Sequence, residues 1–327
     1  MSKELRWGFL GAGGIAPTVA TDFQIAGLKI QAVATRDLAR TNAFADKFGI
    51  PNRHENYAAL VADPEVDIVY VSTTQNFHER DALLVIEAGK HLLMEKPFTL
   101  NAKQAIAIQE AAKHKGVFVM EAMWTRFLPT MVEVFKVLSQ GDIGKPRIVY
   151  GDHSQYLPVT KAPRLSDPEL GGGALLDLGI YPISLAVRVL GLPKAVTGKA
   201  TLSDRGVDEI TSMIFEYEDG SHAILETSMV TAGPVSATIH GTKGRIEIER
   251  SFYEQVPFTV FDVDNNVLLR YEEKIEGRGM QYQAIHVEEC INSGFKESPI
   301  MSLSETVAIM KVMDDIRSQT GVKYPNE

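Results

Sequence analysis

The sequence predicts a two-domain α/β protein: a doubly wound parallel sheet, followed by an α+β domain with a large, mostly antiparallel open sheet. Three observations predict it. Short apolar strands alternate strictly with helical patterns as far as residue 122. A glycine turn, Gly11-Ala12-Gly13-Gly14-Ile15-Ala16, joins the first strand to the first helix. From Ala195 to Tyr271 strands dominate, with hairpin signals between them. A chain of 327 residues suits two domains, divided here as 1–122 and 123–327.

Arg6 to Leu10 reads as the first strand, and the turn after it has the form G-x-G-x-x-A. Gly11 allows the tight turn, Gly13 lets backbone approach a pyrophosphate, and Ala16 lets helix and strand pack closely. Free N–H groups around Gly14 and Ile15 at the helix start favour phosphate charge. The placement points to the dinucleotide-binding arrangement of a Rossmann domain, against a merely structural glycine turn. Ile30 to Ala34 is the second strand, where an enzyme for the unphosphorylated cofactor places a carboxylate about 20 residues past the glycines. Here stand Thr35 and Arg36. A hydroxyl and a guanidinium suit a 2′-phosphate, which favours NADP. Asp37 can instead pair with Arg36 or reach a ribose itself, so NAD stays open.

Leu38 to Phe48 is helical and ends at Gly49 and Pro51. Tyr57 to Val61 is a short helix, Ile68 to Val71 a buried strand, and Thr73-Thr74-Gln75-Asn76-Phe77-His78 its carboxyl-end loop. Leu83 to Ala88 is helical and closes on Gly89. Leu92-Leu93-Met94 is a buried strand followed by Glu95-Lys96-Pro97-Phe98. Parallel sheets place ligands beyond the carboxyl ends of their strands, so Lys96 at that rim is either paired with an acid such as Glu95 or facing a ligand. Asn101 and Gln104 open a helix as a capping box, and Val117 to Met120 is the last strand of the series. The glycine turn, the Thr73 to His78 loop and Glu95-Lys96 thus fall on one rim. His78 there is a ligand contact or a packing residue.

After Glu121 the pattern changes. Pro129 to Leu138 is helical and Arg147 to Tyr156 a long strand. Gly171-Gly172-Gly173 introduces an apolar helix, Ala174 to Leu190, that carries Asp177 and Tyr181 on one face at i, i+4. Pro182 should kink that helix near the pair. Hairpins are expected around Glu218-Asp219-Gly220 and Gly241 to Gly244. One sheet face should pack on helices; the other, carrying Met213, Phe215, Ile224, Leu225 and Met229, is expected to bury against a second subunit. Gln281 to Asn292 and Ser304 to Ser318 are closing helices, the second capped by Ser302 and Glu305.

Composition narrows the partners. With 45% hydrophobic and 23% charged residues the chain can bury a sizeable core, and a net charge of -9 argues against nucleic acid or an anionic membrane surface. No stretch approaches about 18 uninterrupted apolar residues, and the N-terminus has no apolar signal core, so a soluble, cytoplasmic chain is expected. Cys290 is the only cysteine, which removes intrachain disulfides and cysteine-cluster metal sites; no metal is expected.

Over nearly its whole length the chain resembles the glucose–fructose oxidoreductase/inositol dehydrogenase/rhizopine catabolism family. The marks are the G-x-G-x-x-A turn, the E-K-P at Glu95-Lys96-Pro97, and D-x-G-x-Y at Asp177, Gly179 and Tyr181 after the glycine run. The resemblance implies hydride transfer between NADP and a CH–OH group of a neutral polyol, aldose or cyclic diol. Lys96 and Tyr181 would be the catalytic pair with Asp177 beside them, and Arg36 would meet the 2′-phosphate. Thr73, Thr74, Asn76, His78, Glu95, Lys96, Trp124 and Arg126 would join the glycine turn and Thr35 as cofactor contacts, and the open sheet would serve homodimerisation. The T-P-N-x-x-H loop of the wider family appears here as Thr73-Thr74-Gln75-Asn76-Phe77-His78, so ribose and nicotinamide contacts differ. A tyrosine stands where inositol-dehydrogenase-like members carry a histidine, so their Asp–His relay does not transfer. An inositol or other polyol dehydrogenase is the nearest alternative, and a non-catalytic cofactor sensor the alternative of another class.

Hydride transfer needs a held C–H and a base for the hydroxyl proton. Tyr181 is expected to take that proton, because an adjacent ammonium from Lys96 favours the phenolate, with Asp177 orienting Lys96 or a substrate hydroxyl. Trp124 and Phe127 offer flat apolar walls, and His153 and Tyr156 polar tips, for a neutral ring.

Overall fold

The computed structural model describes residues 4–325 and residue 327. Two units form, Met1–Phe127 with Ile275–Val307, and Leu128–Lys274 with Ala308–Glu327.

In the first unit, β1 (Arg6–Leu10), β2 (Lys29–Ala34), β3 (Asn52–His54), β4 (Ile68–Val71), β5 (His91–Glu95) and β6 (Val119–Ala122) make a parallel sheet in the order β3-β2-β1-β4-β5-β6. The connecting helices are α1 (Ala16–Ile25), α2 (Leu38–Phe48), α3 (Tyr57–Ala62), α4 (His78–Glu87) and α5 (Ala102–Lys115). Every residue of β4 is buried, as in a strand covered on both faces. Strand order reverses between β1 and β4, so the loops after these two strands flank the switch point where such sheets bind ligands.

Local chemistry explains most boundaries. Asn101 Oδ1 accepts from the Gln104 N–H at 3.0 Å and Gln104 Oε1 accepts from the Leu100 N–H at 3.1 Å, so a reciprocal cap starts α5. α2 ends on Gly49 at φ +66°. β3 escaped the pattern because Asn52-Arg53-His54 is polar; only its pairing with β2 makes it a strand. α4 begins at His78, five residues earlier than expected, because a 3₁₀ turn over Gln75–Phe77 leads straight into it.

Residues 275–307 fold with the first unit, unlike the expected division at residue 122. They carry α8 (Gln281–Asn292) and the start of α9 (Leu303–Thr320). Polar contacts hold them: Asp22 of α1 accepts from the N–H groups of Arg278 (3.0 Å) and Met280 (2.8 Å), and Trp7 Nε1 donates to Glu288 Oε1 at 2.8 Å. Contacts spanning more than 250 residues leave no local pattern.

The second unit contains α6 (Pro129–Gln140), β7 (Pro146–Ser154), α7 (Ile180–Leu190), β8 (Ala195–Leu202), β9 (Asp208–Glu216), β10 (His222–Ser228), β11 (Ala237–Gly241), β12 (Gly244–Ile248), β13 (Phe258–Asp262) and β14 (Val267–Tyr271). The sheet order is β14-β13-β12-β11-β7-β10-β9-β8, antiparallel except where β7 pairs with β10. The apolar content of residues 168–190 would suit a membrane span, yet 78% of its most apolar window is buried inside the unit, as in a core helix. α7 rests directly on β7: a Cβ on Gly151 would come within 2.8 Å of Pro182 Cβ.

The expected apolar open face is corrected by period-two alternation. Met213, Phe215 and Leu225 are buried, and Met229 joins a core cluster with Leu165, Ala174, Leu178 and Val207. Of the five residues named for that face only Ile224 is exposed, alongside Ile214 and Tyr150. The anticipated kink takes the form of a π turn over Leu175–Gly179 immediately before α7. Pro182 has no N–H to donate and its ring would clash with the carbonyl four residues back, so the backbone widens one turn earlier.

Candidate active site

In the first unit the glycine turn leaves room for a charged ligand. Gly11 sits at φ +97° and its N–H donates to Ala34 O at 2.9 Å; a Cβ there would lie 3.2 Å from Ser72 Oγ. Gly14 is exposed, and nothing stands within 4 Å of where its Cβ would be. Ile15 caps α1 without a side-chain hydrogen bond, so the first-turn amides are not covered by a capping side chain. Ala16 is fully buried against the sheet. Ser72 Oγ donates to Gly11 O at 3.2 Å and ties the loop after β4 to this turn. These features fit a dinucleotide pyrophosphate.

Beyond β2, Thr35 is buried and its hydroxyl donates to Asp37 O at 2.6 Å, so it shapes the loop rather than meeting a ribose. Asp37 caps α2, accepting from the Ala39 N–H at 2.8 Å. Arg36 is exposed, with its guanidinium carbon 5.6 Å from the Phe77 ring centre. Two further guanidiniums gather here that the sequence reading missed. Arg40 donates to Ala12 O at 3.3 Å, and the Arg80 guanidinium carbon lies 4.5 Å from the centre of the same Phe77 ring while Arg80 pairs with Asp81 at 2.7 Å. Arg36 and Arg40 are four residues apart at a helix start, a spacing that could have pointed to both.

The loop after β4 is internally braced. Thr73 Oγ1 donates to Asp81 at 2.8 Å and Thr74 Oγ1 to Asn76 Oδ1 at 2.6 Å. His78 is buried with Nδ1 3.0 Å from Pro97 O and Nε2 3.1 Å from Thr73 O, and burial pulls its pKa below the ordinary value. It therefore stitches the β4 loop to the segment after Lys96 instead of presenting a nitrogen to a ligand. Glu95 is also buried; it accepts from the Tyr70 hydroxyl at 2.6 Å and from the Lys96 N–H at 3.3 Å. Lys96 is half-buried at the end of β5, and the Lys96–Pro97 peptide is cis. Trp124 is buried with Arg278 5.4 Å over its ring. Arg126, placed with the cofactor from the sequence, is instead sequestered, donating to Glu305 at 2.7 Å and Ile300 O at 3.1 Å. Phe127 is a core residue 4.9 Å from His286.

In the second unit an aromatic cluster surrounds Tyr181. His153 stacks on Tyr253 at 4.4 Å and 21°, and Tyr181 lies 5.0 Å from His153 and 5.1 Å from Tyr253. Gln155 Nε2 reaches His153 Nε2 at 2.8 Å and donates to the Tyr253 hydroxyl at 3.1 Å. Asp177 accepts from Arg164 Nη2 at 2.9 Å. Tyr253, Gln155 and Arg164 were not anticipated, since each arrives from a loop with no motif. Tyr156 does not join the cluster: it is 57% exposed, with Lys161 5.9 Å over its ring. Among the described residues no group of three His, Cys, Asp or Glu could hold a metal ion.

Residues 5–123 match the oxidoreductase family with an NAD-binding Rossmann fold, and residues 131–247 match the GFO/IDH/MocA C-terminal domain. The chain belongs to the GFO/IDH/MocA oxidoreductase family. It is 36% identical to trans-1,2-dihydrobenzene-1,2-diol dehydrogenase of Xenopus laevis, over 98% of this chain and 99% of that protein, and 33% identical to the Mus musculus enzyme of the same name over 99% of each. The fold is that of aldose-aldose oxidoreductase from Caulobacter crescentus, with a TM-score of 0.88 at 24% identity over 98% of both chains.

This GFO/IDH/MocA oxidoreductase also buries an acid that no motif announced. Glu121, on β6, accepts from the Phe98 N–H at 3.1 Å and the Thr306 hydroxyl at 3.1 Å. Burial raises its pKa from 4.5 to about 7, against the opposing pull of those hydrogen bonds and of Arg126 and Lys96. The folded state then binds this proton more tightly than the unfolded state, so stability present below the unfolded pKa is lost as pH rises through about 7. A gap of that size is worth about 3 kcal/mol. Glu121→Gln is expected to flatten the fall in thermal stability between pH 5 and pH 8, raising Tm at the alkaline end; parallel pH profiles for variant and parent would contradict it.

Proposed function

We propose that the protein transfers a hydride between NADP and a CH–OH group of a neutral polyol, aldose or cyclic diol. The observation that carries this is the aromatic surround of Tyr181, formed by His153 and Tyr253 beside an Asp177 already engaged by Arg164. Such a surface suits a hydroxylated ring better than an anion. The diol dehydrogenase names of its relatives point the same way.

The glycine turn and the start of α1 would hold the pyrophosphate, and Arg36 and Arg40 the 2′-phosphate. When bound, the nicotinamide accepts or returns a hydride at the substrate carbon. Tyr181 takes the hydroxyl proton during oxidation. Lys96 donates to the reacting oxygen, which eases loss of its proton. Arg164 fixes the Asp177 carboxylate, which accepts from a neighbouring substrate hydroxyl.

Following nicotinamide absorbance with NADP or NAD against aldoses, inositols and cyclic diols tests this directly. Turnover with NADP and at least one neutral diol is expected. Arg36→Ala should lower kcat/KM for NADP about 10- to 100-fold, the worth of a charged hydrogen bond, and leave NAD turnover nearly unchanged. Cofactor binding with no turnover across the panel would point instead to a cofactor-reading regulator.

A further inference from the structure

We propose that Tyr324 is a positioning residue for the turn that carries Asp177 and Tyr181, acting through the glycine run Gly171-Gly172-Gly173. This rests on the roles proposed above for Asp177 and Tyr181. The Tyr324 hydroxyl donates to Gly172 O at 2.8 Å, and the ring is buried beneath the Arg317 guanidinium, 4.5 Å from its centre. Arg317 lies on α9 and pairs with the Glu327 carboxylate at 2.5 Å, while that carboxylate accepts from the Tyr324 N–H at 2.9 Å. The segment after α9 is thus tied down at both its ring and its backbone. Burial, reinforced by the charge of Asp208, lifts the phenol well above its ordinary pKa, so it remains a donor across the working pH range.

Two glycines of the run it grips have no room for a side chain. A Cβ on Gly172 would come 2.4 Å from Leu165 O, and one on Gly173, at φ +111°, 2.2 Å from Asp208 Oδ1. The Gly173 N–H donates to Leu165 O at 2.8 Å, which pins the loop bearing Arg164. Two residues on, the Leu175 N–H donates to Asp208 Oδ2 at 2.7 Å, and Thr211 Oγ1 meets the same oxygen at 2.7 Å. Both partners of the Arg164–Asp177 pair therefore leave from one clamped turn, with Tyr324 on one side and Asp208 on the other. The π turn that follows, a rare widening of the kind found at functional sites, starts from this clamp.

The test is Tyr324→Phe, which keeps the ring under Arg317 and removes only the donor. Amide exchange at residues 172–181 is expected to quicken about three- to tenfold, the worth of one neutral hydrogen bond, with the rest of the second unit unchanged. With a turned-over diol, kcat should fall by a similar factor while NADP affinity holds and Tm drops only by the few degrees that one hydrogen bond is worth. Unchanged exchange at 172–181 overturns the proposal, whether or not the parent protein is active. Faster exchange spread evenly over the unit, with kcat at parent level, also overturns it, because that is the mark of a stability contact. Failure of the parent to turn over any diol would instead count against the proposed reaction.

Discussion

Replacing Lys96 by methionine lowers kcat about 10²- to 10⁴-fold, the usual contribution of a positioned acid–base group, if the ammonium acts on the reacting oxygen. Methionine preserves the apolar stem at the end of β5 and deletes the charge. The competing role for Lys96 is structural, since its charge opposes the burial of Glu121. The two roles separate cleanly. A charge-balancing lysine would leave turnover within about threefold, far short of a general acid–base effect, and its loss would raise the pKa of Glu121 further. Stability would then fall more steeply on the alkaline side. A catalytic lysine gives the collapse in kcat at every pH, with NADP affinity largely kept because the glycine turn and Arg36 lie elsewhere on the rim. Steady-state kinetics and a pH series of Tm values, measured on one preparation, distinguish them.

What the sequence made legible was whatever is written locally. The alternation of apolar strands and helices, the glycine turn and the Asn101–Gln104 cap all rest on contacts a few residues apart, and all are found in the structure. The residues it could not supply arrive from far away. Asp22 captures residues 278 and 280, Thr306 reaches Glu121, and Tyr324 reaches Gly172. Reading side-chain chemistry without burial also misled. Thr35, Arg126 and His78 are polar residues on or near the rim, yet each spends its hydrogen bonds inside the protein. Exposure, which a sequence does not display, separates them from Arg36. The open face failed for a related reason: Ile224 and Leu225 are consecutive in a strand and cannot share a side. Around Tyr181 the motif identified Asp177 and Tyr181 itself and the long strand supplied His153, but loops supplied Tyr253, Gln155 and Arg164.

Tyr181→Phe is the sharper test of the proton step, because it removes one oxygen from a ring whose packing survives. Tyr181 lies 5.0 Å from the ring of His153 and 5.1 Å from that of Tyr253, and phenylalanine keeps both contacts. Loss of the hydroxyl is expected to cost at least about 10² in kcat with KM changed little, since the phenol acts on charge that develops only in the transition state. The alternative is a core tyrosine whose hydroxyl is merely satisfied, for which kcat would stay within about threefold and a modest loss of Tm of the size of one hydrogen bond would be the main effect. The pH profile adds a second reading. In the parent, kcat/KM for oxidation should rise with pH as the group that takes the hydroxyl proton loses its own, and if Tyr181 is that group the rising limb vanishes in the phenylalanine variant. Residual activity with the limb intact would place the proton elsewhere, and His153, stacked on Tyr253 and joined to Gln155 at 2.8 Å, is the group to substitute next.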